Sequence, residues 1–500
     1  MNHWIIAPIV LPALVAAAML LSLRGSLAAQ RGLAVVTVLA LNAISVLLLR
    51  SVTETGPEAY FLGDWPAPYG IVLVLDRLSA MMLALLAGLA LPVTFYAIGS
   101  GWDRKGAHFH PLLQFLLMGI AGAFLTGDAF NLFVFFEVML IASYGLMIHG
   151  GGAARTRAGL QYVGVNLLAS ALFLVALGLV YGVSGTLNLA DLAEKLPQLP
   201  DDDAALVRVA AVMLILVFAI KAAIVPLQFW LPGAYANAPG VVAAIFAIMT
   251  KVGAYAILRF VTLVFPPDLA ATGFLIPALL LPAGLATLGL GAIGVLGATT
   301  LPRLAAYAGI ASTGTIFVAI AHLTPTGTAA ALYYALHSTL AMALMFLVAD
   351  LTLRRRAHLR LDASAPIAAS GLMAALYLAA AAALAGMPPL SGFVGKLLVL
   401  SAWSDHMLQV WPAVLITSLL MILGLARAGS ILFWQPADPG APQPSATRDT
   451  LALAASFGLL SGIVALTVLA GPVHDWLRVA AEDLHNPWAY IEANRLGEGG

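Results

Sequence analysis

The chain has 500 residues, of which 62% are hydrophobic and 9% charged, and its formal net charge is zero. Soluble domains are about a quarter charged, so this composition describes a polytopic membrane protein, and its neutral balance offers no electrostatic footprint for nucleic acid. The absence of cysteine excludes a disulfide, a thiolate nucleophile, an iron–sulfur ligand set and a Cys-type zinc site.

Apolar stretches near the ~20 residues that cross a bilayer follow one another along the chain. The first, Ile5 to Leu23, lacks a basic leader and a small-residue cleavage site, and reads as a retained helix. The predicted spans are 4–23, 33–50, 71–99, 111–126, 128–149, 159–181, 206–226, 240–262, 273–297, 302–322, 328–350, 366–403 (interrupted), 410–434 and 450–470. That gives an all-α fold of about fourteen transmembrane helices, a single integral membrane domain over 1–500. The longest polar breaks, 51–70, 184–205 and 435–449, are rich in Pro, Gly or acidic residues and predict loops. From Val473 the tail mixes Trp476, Leu477, Leu484, Trp488 and Tyr490 with charges, an interfacial pattern.

Basic residues in short loops give the orientation. Alternate loops carry Arg24 and Arg31, Arg104 and Lys105, Arg155 and Arg157, Arg303, Arg354 to Arg356 with Arg360, and Arg448. The other set carries Glu54, Glu58, Asp64, Asp191, Glu194, Asp201 to Asp203 and Asp268. The first set is expected at the cytoplasmic face, with both termini on the opposite side.

Two helices look broken. Lys221 is followed by Pro226 and Trp230-Leu-Pro232-Gly233, and Gly386-Met-Pro388-Pro389-Leu-Ser-Gly392 precedes Lys396. A proline frees the carbonyl four residues earlier, which a membrane tolerates only where protein or water satisfies it. Paired interruptions in two halves point to a midplane transport site.

Near these breaks lie charges where hydrocarbon is expected. Glu137 sits in Asn131-Leu-Phe-Val-Phe-Phe-Glu137-Val-Met-Leu140, about 13 Å from the helix start near Asp128 at 1.5 Å per residue. Lys221, Lys251, His337 and Lys396 occupy comparable surroundings in other helices, at similar depth. Such residues are costly in lipid and mark ion or proton pathways. Taking them out of water favours their neutral forms, and a nearby opposite charge reverses that. Making or breaking an ion pair therefore loads or releases a proton, and histidine titrates in the same range. Thr250, Ser312, Thr313, Thr315, Ser338, Thr339 and Ser391 could link such sites. Blander roles suit other residues: Asp128 as an N-cap, Asp76-Arg77 as an interfacial pair, Asp350 with Arg354 as an i,i+4 pair. His322 ends a helix, and His108, His110 and His149 show no metal-ligand spacing. No Walker A sequence or dinucleotide fingerprint is present. No resident cofactor is expected, and no oxygen-rich cage for Na⁺ or K⁺ is legible.

These residues resemble the antiporter-like membrane subunits of respiratory complex I, membrane-bound hydrogenases and multisubunit Mrp antiporters. The likeness is carried by Leu125-Thr-Gly-Asp-Ala-Phe-Asn-Leu-Phe-Val-Phe-Phe-Glu137, Lys221-Ala-Ala-Ile-Val-Pro226 with Trp230-Leu-Pro232, Lys251-Val-Gly-Ala-Tyr255, Ala335-Leu-His337-Ser, and Gly386-Met-Pro-Pro-Leu-Ser-Gly-Phe393 leading to Lys396. Within that group the chain is similar to the D subunits of the Mrp (also Mnh or Pha) cation/proton antiporters. The resemblance implies two inverted five-helix repeats, at 111–262 and 273–434, between N-terminal helices at 4–110 and a C-terminal helix and tail at 450–500. It implies a Glu137–Lys221 pair, Lys251 as a bridge, and His337 with Lys396 in the second half. It also implies a bacterial inner-membrane hetero-oligomer that uses the proton gradient to drive Na⁺ or K⁺ out. The rival expectation is the same relay in a complex I or hydrogenase assembly, and a pure scaffold would not need charges in hydrocarbon.

Overall fold

The computed structural model describes residues 2–356, 360–362, 369–435 and 449–495. The chain enters through α1 (Ala7–Leu21) and α2 (Leu27–Thr55), then forms a hairpin of β1 (Glu58–Phe61) and β2 (Val72–Leu75), antiparallel with Glu58 opposite Leu75. Next come α3 (Arg77–Ser100), α4 (Phe109–Leu125), α5 (Ala129–Met147), α6 (Ala153–Ser184) and the short α7 (Leu189–Lys195). α8 (Ala204–Ala222) and α9 (Trp230–Asn237) flank the first break. α10 (Gly240–Phe246) and α11 (Met249–Arg259) form one bent span that closes in a π-helical turn, Phe260–Val264. α12 (Leu275–Gly297), α13 (Leu301–Ile320) and α14 (Pro325–Leu353) follow. α15 (Ser370–Ala385) and α16 (Ser391–Ala402) flank the second break, before α17 (Met407–Gly429) and α18 (Thr450–Val468). The tail is α19 (Ala470–His485) and α20 (Trp488–Asn494).

Eleven helical segments among the described residues are long and apolar enough to cross a membrane, and α1, α4, α15 and α16 are shorter apolar helices. Lipid tails are as apolar as leucine, so close packing and small residues hold such helices together. The α10–α11 span and α14 are buried almost all round and form the centre, with α14 against α10, α13, α15, α16, α18 and α19. α2, α6 and α17 each leave an apolar face uncovered.

The breaks predicted as loops are more structured than expected. The 51–70 stretch supplies β1, and β2 takes the first residues assigned to the 71–99 span. The 184–205 stretch contains α7, capped by the Asn188 side chain, which accepts from the Ala190 and Asp191 amides. Most of 435–449, with Arg448, lies outside the described residues. The amphipathic tail does fold as α19 and α20, lying against α14 and α7.

Among the simpler assignments, Asp128 does cap α5, accepting from Asn131 N at 2.7 Å. Asp76 and Arg77 do not pair. Asp76 caps α3 and binds Arg259 at 2.7 and 2.8 Å, while Arg77 binds Asp483. Neighbours in sequence point apart here, because the cap turns Asp76 back toward its own helix. Asp350 bonds Arg354 at 3.0 Å, but it also accepts from Tyr96 at 2.7 Å and Trp102 at 2.9 Å. The expected i,i+4 pair is thus part of a tertiary clamp between α3 and α14.

Basic and acidic loops gather at opposite ends. At one end Arg31 meets Asp103, Arg155 reaches the Asn237 carbonyl, and Arg354 and Arg355 meet Asp449. At the other, Asn2 meets Glu58, Arg495 meets Glu194, and Thr328 meets His485.

Candidate functional site: a buried polar row

Glu137 lies at the middle of α5 and is half-buried, beside a stripe of exposed residues that includes Val134 and Ile141. Its carboxylate accepts from the Ser170 hydroxyl on α6. One turn back on α6, Asn166 Oδ1 accepts from Lys221 Nζ at 3.2 Å, and the Asn166 carbonyl lies 3.5 Å away. Glu137 and Lys221 make no direct contact, although their charges interact through space. The pair implied by the resemblance is therefore indirect, with α6 between its members.

The first break explains why Lys221 sits there. α8 stops at Ala222 because Ala223 turns left-handed, at φ 58°. The irregular backbone that follows is satisfied by protein: Val225 N donates to Thr287 Oγ1 at 2.9 Å, and Trp230 Nε1 donates to the Ile220 carbonyl at 3.0 Å. Lys221 thus occupies the last turn of a helix, where the dipole favours a cation. Gly253 of α11 packs directly on this turn. A β-carbon there would come within 2.6 Å of Ala222 N, so only glycine lets α11 approach so closely.

That approach brings in Lys251, two residues before Gly253 and fully buried. Among the described residues its ammonium has one hydrogen-bond partner, Thr250 Oγ1 at 3.4 Å. Beyond it, His337 on α14 bonds Ser391 through Nδ1 at 2.9 Å and lies within electrostatic reach of Lys396 and Lys251. Lys396 follows the second break. Its ammonium donates to the Ala385 carbonyl and to Ser418 Oγ, each at 2.8 Å. Gly386, left-handed at φ 75°, ends α15 and leaves room for the Lys396 side chain, which a β-carbon would meet at 2.7 Å.

The five predicted residues thus fall into one sequence of neighbours from α5 through α8, α11 and α14 to α16. Of the seven hydroxyls proposed as links, Thr250 and Ser391 touch the row. Ser312 and Thr315 lie beside Tyr334, whose ring is 5.6 Å from His337. Thr313, Thr315, Ser338 and Thr339 bond backbone carbonyls of their own helices. Sequence reasoning missed Asn166, Ser170 and Ser418. The signal for the first two was Tyr162, Asn166 and Ser170 at four-residue spacing in an otherwise apolar helix.

Three histidines outside the row make structural contacts. His110 bonds Asp103 at 3.1 Å, His149 donates to the Trp102 carbonyl at 2.9 Å, and His322 bonds Thr324 and packs edge-on against Trp403. Among the described residues, no group of three or more His, Asp or Glu side chains could hold a metal ion.

Comparison with known proteins gives this row a context. The family described as NADH:quinone oxidoreductase/Mrp antiporter, TM, matches residues 126–421, which include all five residues. The D subunit of a probable K⁺/H⁺ antiporter from Rhizobium meliloti (strain 1021) is 38% identical, covering 98% of this chain and 97% of its own. This chain belongs to the D-subunit family of Mrp-type antiporters. A second relative in the D-subunit family, from the Na⁺/H⁺ antiporter of Bacillus subtilis (strain 168), is 36% identical over 99% of both chains. The fold also matches a chain in the structure of the Mrp complex from Dietzia sp. DQ12-45-1b, with TM-score 0.88 and 28% identity over 99% of this chain and 100% of that one.

Proposed function

We propose that this chain is the proton-translocating subunit of a hetero-oligomeric Na⁺ (or K⁺)/H⁺ antiporter in a bacterial inner membrane. Protons move laterally along Glu137, Lys221, Lys251, His337 and Lys396, and the chain performs no catalysis of its own. The observation that carries this reading is the α6 link: one helix turn presents Ser170 to Glu137 and Asn166 to Lys221. A change of charge at either end alters the field at the other without any covalent chemistry, as a relay requires. The D-subunit relatives favour antiport over an oxidoreductase assembly.

The fold reads as fourteen spans. The eleven long segments, α1, α4 and the α15–α16 pair counted as one broken helix make that number. The two breaks fit inverted repeats at 111–262 and 273–434. Both termini face away from the cytoplasm, since the basic loops gather at the opposite end.

Glu137→Gln or Lys221→Ala, in the assembled complex, abolishes proton-coupled cation efflux in everted vesicles while assembly persists. Normal antiport by either variant would sink the relay. Expressed without partner subunits, the chain shows no antiport, so robust activity of the single subunit would refute the hetero-oligomer. Comparing Na⁺ with K⁺ in the same vesicles assigns the cation.

A further inference from the structure

Lys251, Tyr255 and Arg259 stand one above another on α11, at four-residue spacing, and the lateral row uses only the first. Two water-sized cavities lie along this face. One, about 20 Å³, is lined by Lys251, Tyr255 and apolar side chains of α3, α13 and α14. The other, also about 20 Å³, is lined by Asp76, Arg259, Thr262, Asp483 and Tyr490 among others. Each exceeds the roughly 10–15 Å³ that one water needs. Tyr255 joins them: it lines the first, and its hydroxyl accepts from Arg259 Nη2 at 3.4 Å while donating to the Phe124 carbonyl at 2.7 Å.

Two residues that line the second cavity carry polar atoms that protein leaves unanswered among the described residues. Tyr490 Oη and Arg259 Nε are buried without a hydrogen-bond partner, on side chains 5% and 4% exposed. Buried polar atoms in that state call for water. Arg259 grips Asp76 with two bonds and lies over the Tyr490 ring at 4.9 Å and the Tyr255 ring at 5.5 Å. Thr262 borders both this cavity and a vestibule of about 610 Å³, lined also by Arg208, Asp268 and His485, at the end where acidic loops gather. Thr262 belongs to the π-helical turn, a distortion common at functional positions.

We propose that this face of α11 is a hydrated outlet by which protons leave the row at Lys251 for the non-cytoplasmic side, with Asp76–Arg259 as its valve. The proposal rests on the relay reading. The Lys251 ammonium gives a proton to water in the first cavity and becomes an amine, to be recharged along the row. The proton passes through water to Asp76, which becomes a neutral carboxylic acid and releases Arg259. Arg259 keeps its charge, as guanidinium does in proteins, and is held by the two tyrosine rings. Asp76 then yields the proton to vestibule water and the ion pair re-forms.

The chain has no cysteine of its own, so single introduced thiols report water directly. Thr262→Cys is expected to react with a membrane-impermeant methanethiosulfonate added outside intact cells. Leu258→Cys, one turn deeper and lining the first cavity, reacts more slowly from the same side. Tyr255→Phe keeps the ring and cuts proton-coupled cation efflux about tenfold with assembly unchanged, the scale of one lost hydrogen bond to a charged group. Labelling from neither side, labelling only from the cytoplasm, or full turnover of Tyr255→Phe overturns the outlet. Glu137→Gln run in parallel separates the failures. If it is inactive while Tyr255→Phe is normal, the relay stands and the outlet falls. If Glu137→Gln is active, the relay falls, and the labelling still decides whether the water path exists.

Discussion

Lys221 and Lys396 both sit beside unwound backbone, yet the two halves of the molecule hold them differently. Lys221 precedes its break, and its polar partner is Asn166, on the helix that also holds the nearby carboxylate of Glu137. Lys396 follows its break and is bound by a helix-end carbonyl, Ala385 O, and a neutral hydroxyl, Ser418 Oγ. Both ammonium groups meet the negative end of a helix dipole. The first is tied through α6 to an acid, the Glu137 carboxylate, and the second, through Ser391 of its own helix, to a base, the His337 imidazole. The first lysine therefore answers to a nearby carboxylate, and the second to a helix end with an imidazole beside it.

The sharpest way to break this contrast is to remove each lysine in turn. Lys221→Ala is expected to lower cation efflux in everted vesicles at least ~100-fold, because half-buried Glu137 loses the cation whose field reaches it through α6. Lys396→Ala, which removes a cation whose direct partners are neutral, should cost about tenfold. Equal losses would remove the distinction. Next in size, Asn166→Leu unties Lys221 and should slow turnover roughly tenfold, from the ~1.5–3 kcal/mol of a hydrogen bond to a charged group. Ser418→Ala leaves Lys396 its Ala385 carbonyl, and a loss of only about threefold is expected in the same assay. An Asn166 effect no larger than that of Ser418 would count against the α6 link.

The smallest expected effect lies outside the membrane-spanning segments, where His149 packs near Asp103, His110 and Arg155. Burial pushes the His149 imidazole below its ordinary pKa, against the opposing bond to the Trp102 carbonyl. The folded state thus binds this proton less readily than the unfolded chain, so stability falls as pH drops below about 6.5. Asp103 titrates elsewhere. Burial pushes it up, but His110 and Arg31 together hold it below the usual carboxylate range. Its contribution is complete above about pH 4 and is lost only in stronger acid. Between pH 7.5 and 5.5, amide protection factors around residues 149–155 should therefore decline in the wild type and stay flat in His149→Gln.

Much of this was legible because the chemistry is expensive. Lysines in hydrocarbon and prolines inside spans announce themselves, and both breaks appear where Pro226 and Pro388 placed them. Asn166 and Ser170 did not stand out, since neutral polar residues cost little in a membrane helix and often bond their own backbone. The Ala385 carbonyl that binds Lys396 is invisible to any reading of side-chain types. Asp76 and Arg259 are 183 residues apart, and nothing local says that they meet. The hairpin was lost for a different reason: Val72 to Leu75 is as apolar as a span and runs straight into one.

The one-turn interval between Asn166 and Ser170 fixes a length. Four residues of α-helix rise about 6 Å, so α6 behaves as a spacer that keeps acid and base from collapsing into contact. Charges that touch in a low-dielectric interior do not part until one of them is neutralised. Held a helical turn apart, they still sense one another and can still let go. On this view Asn166 and Ser170 act as a stop against self-trapping, a fault that removing either charge could never reveal.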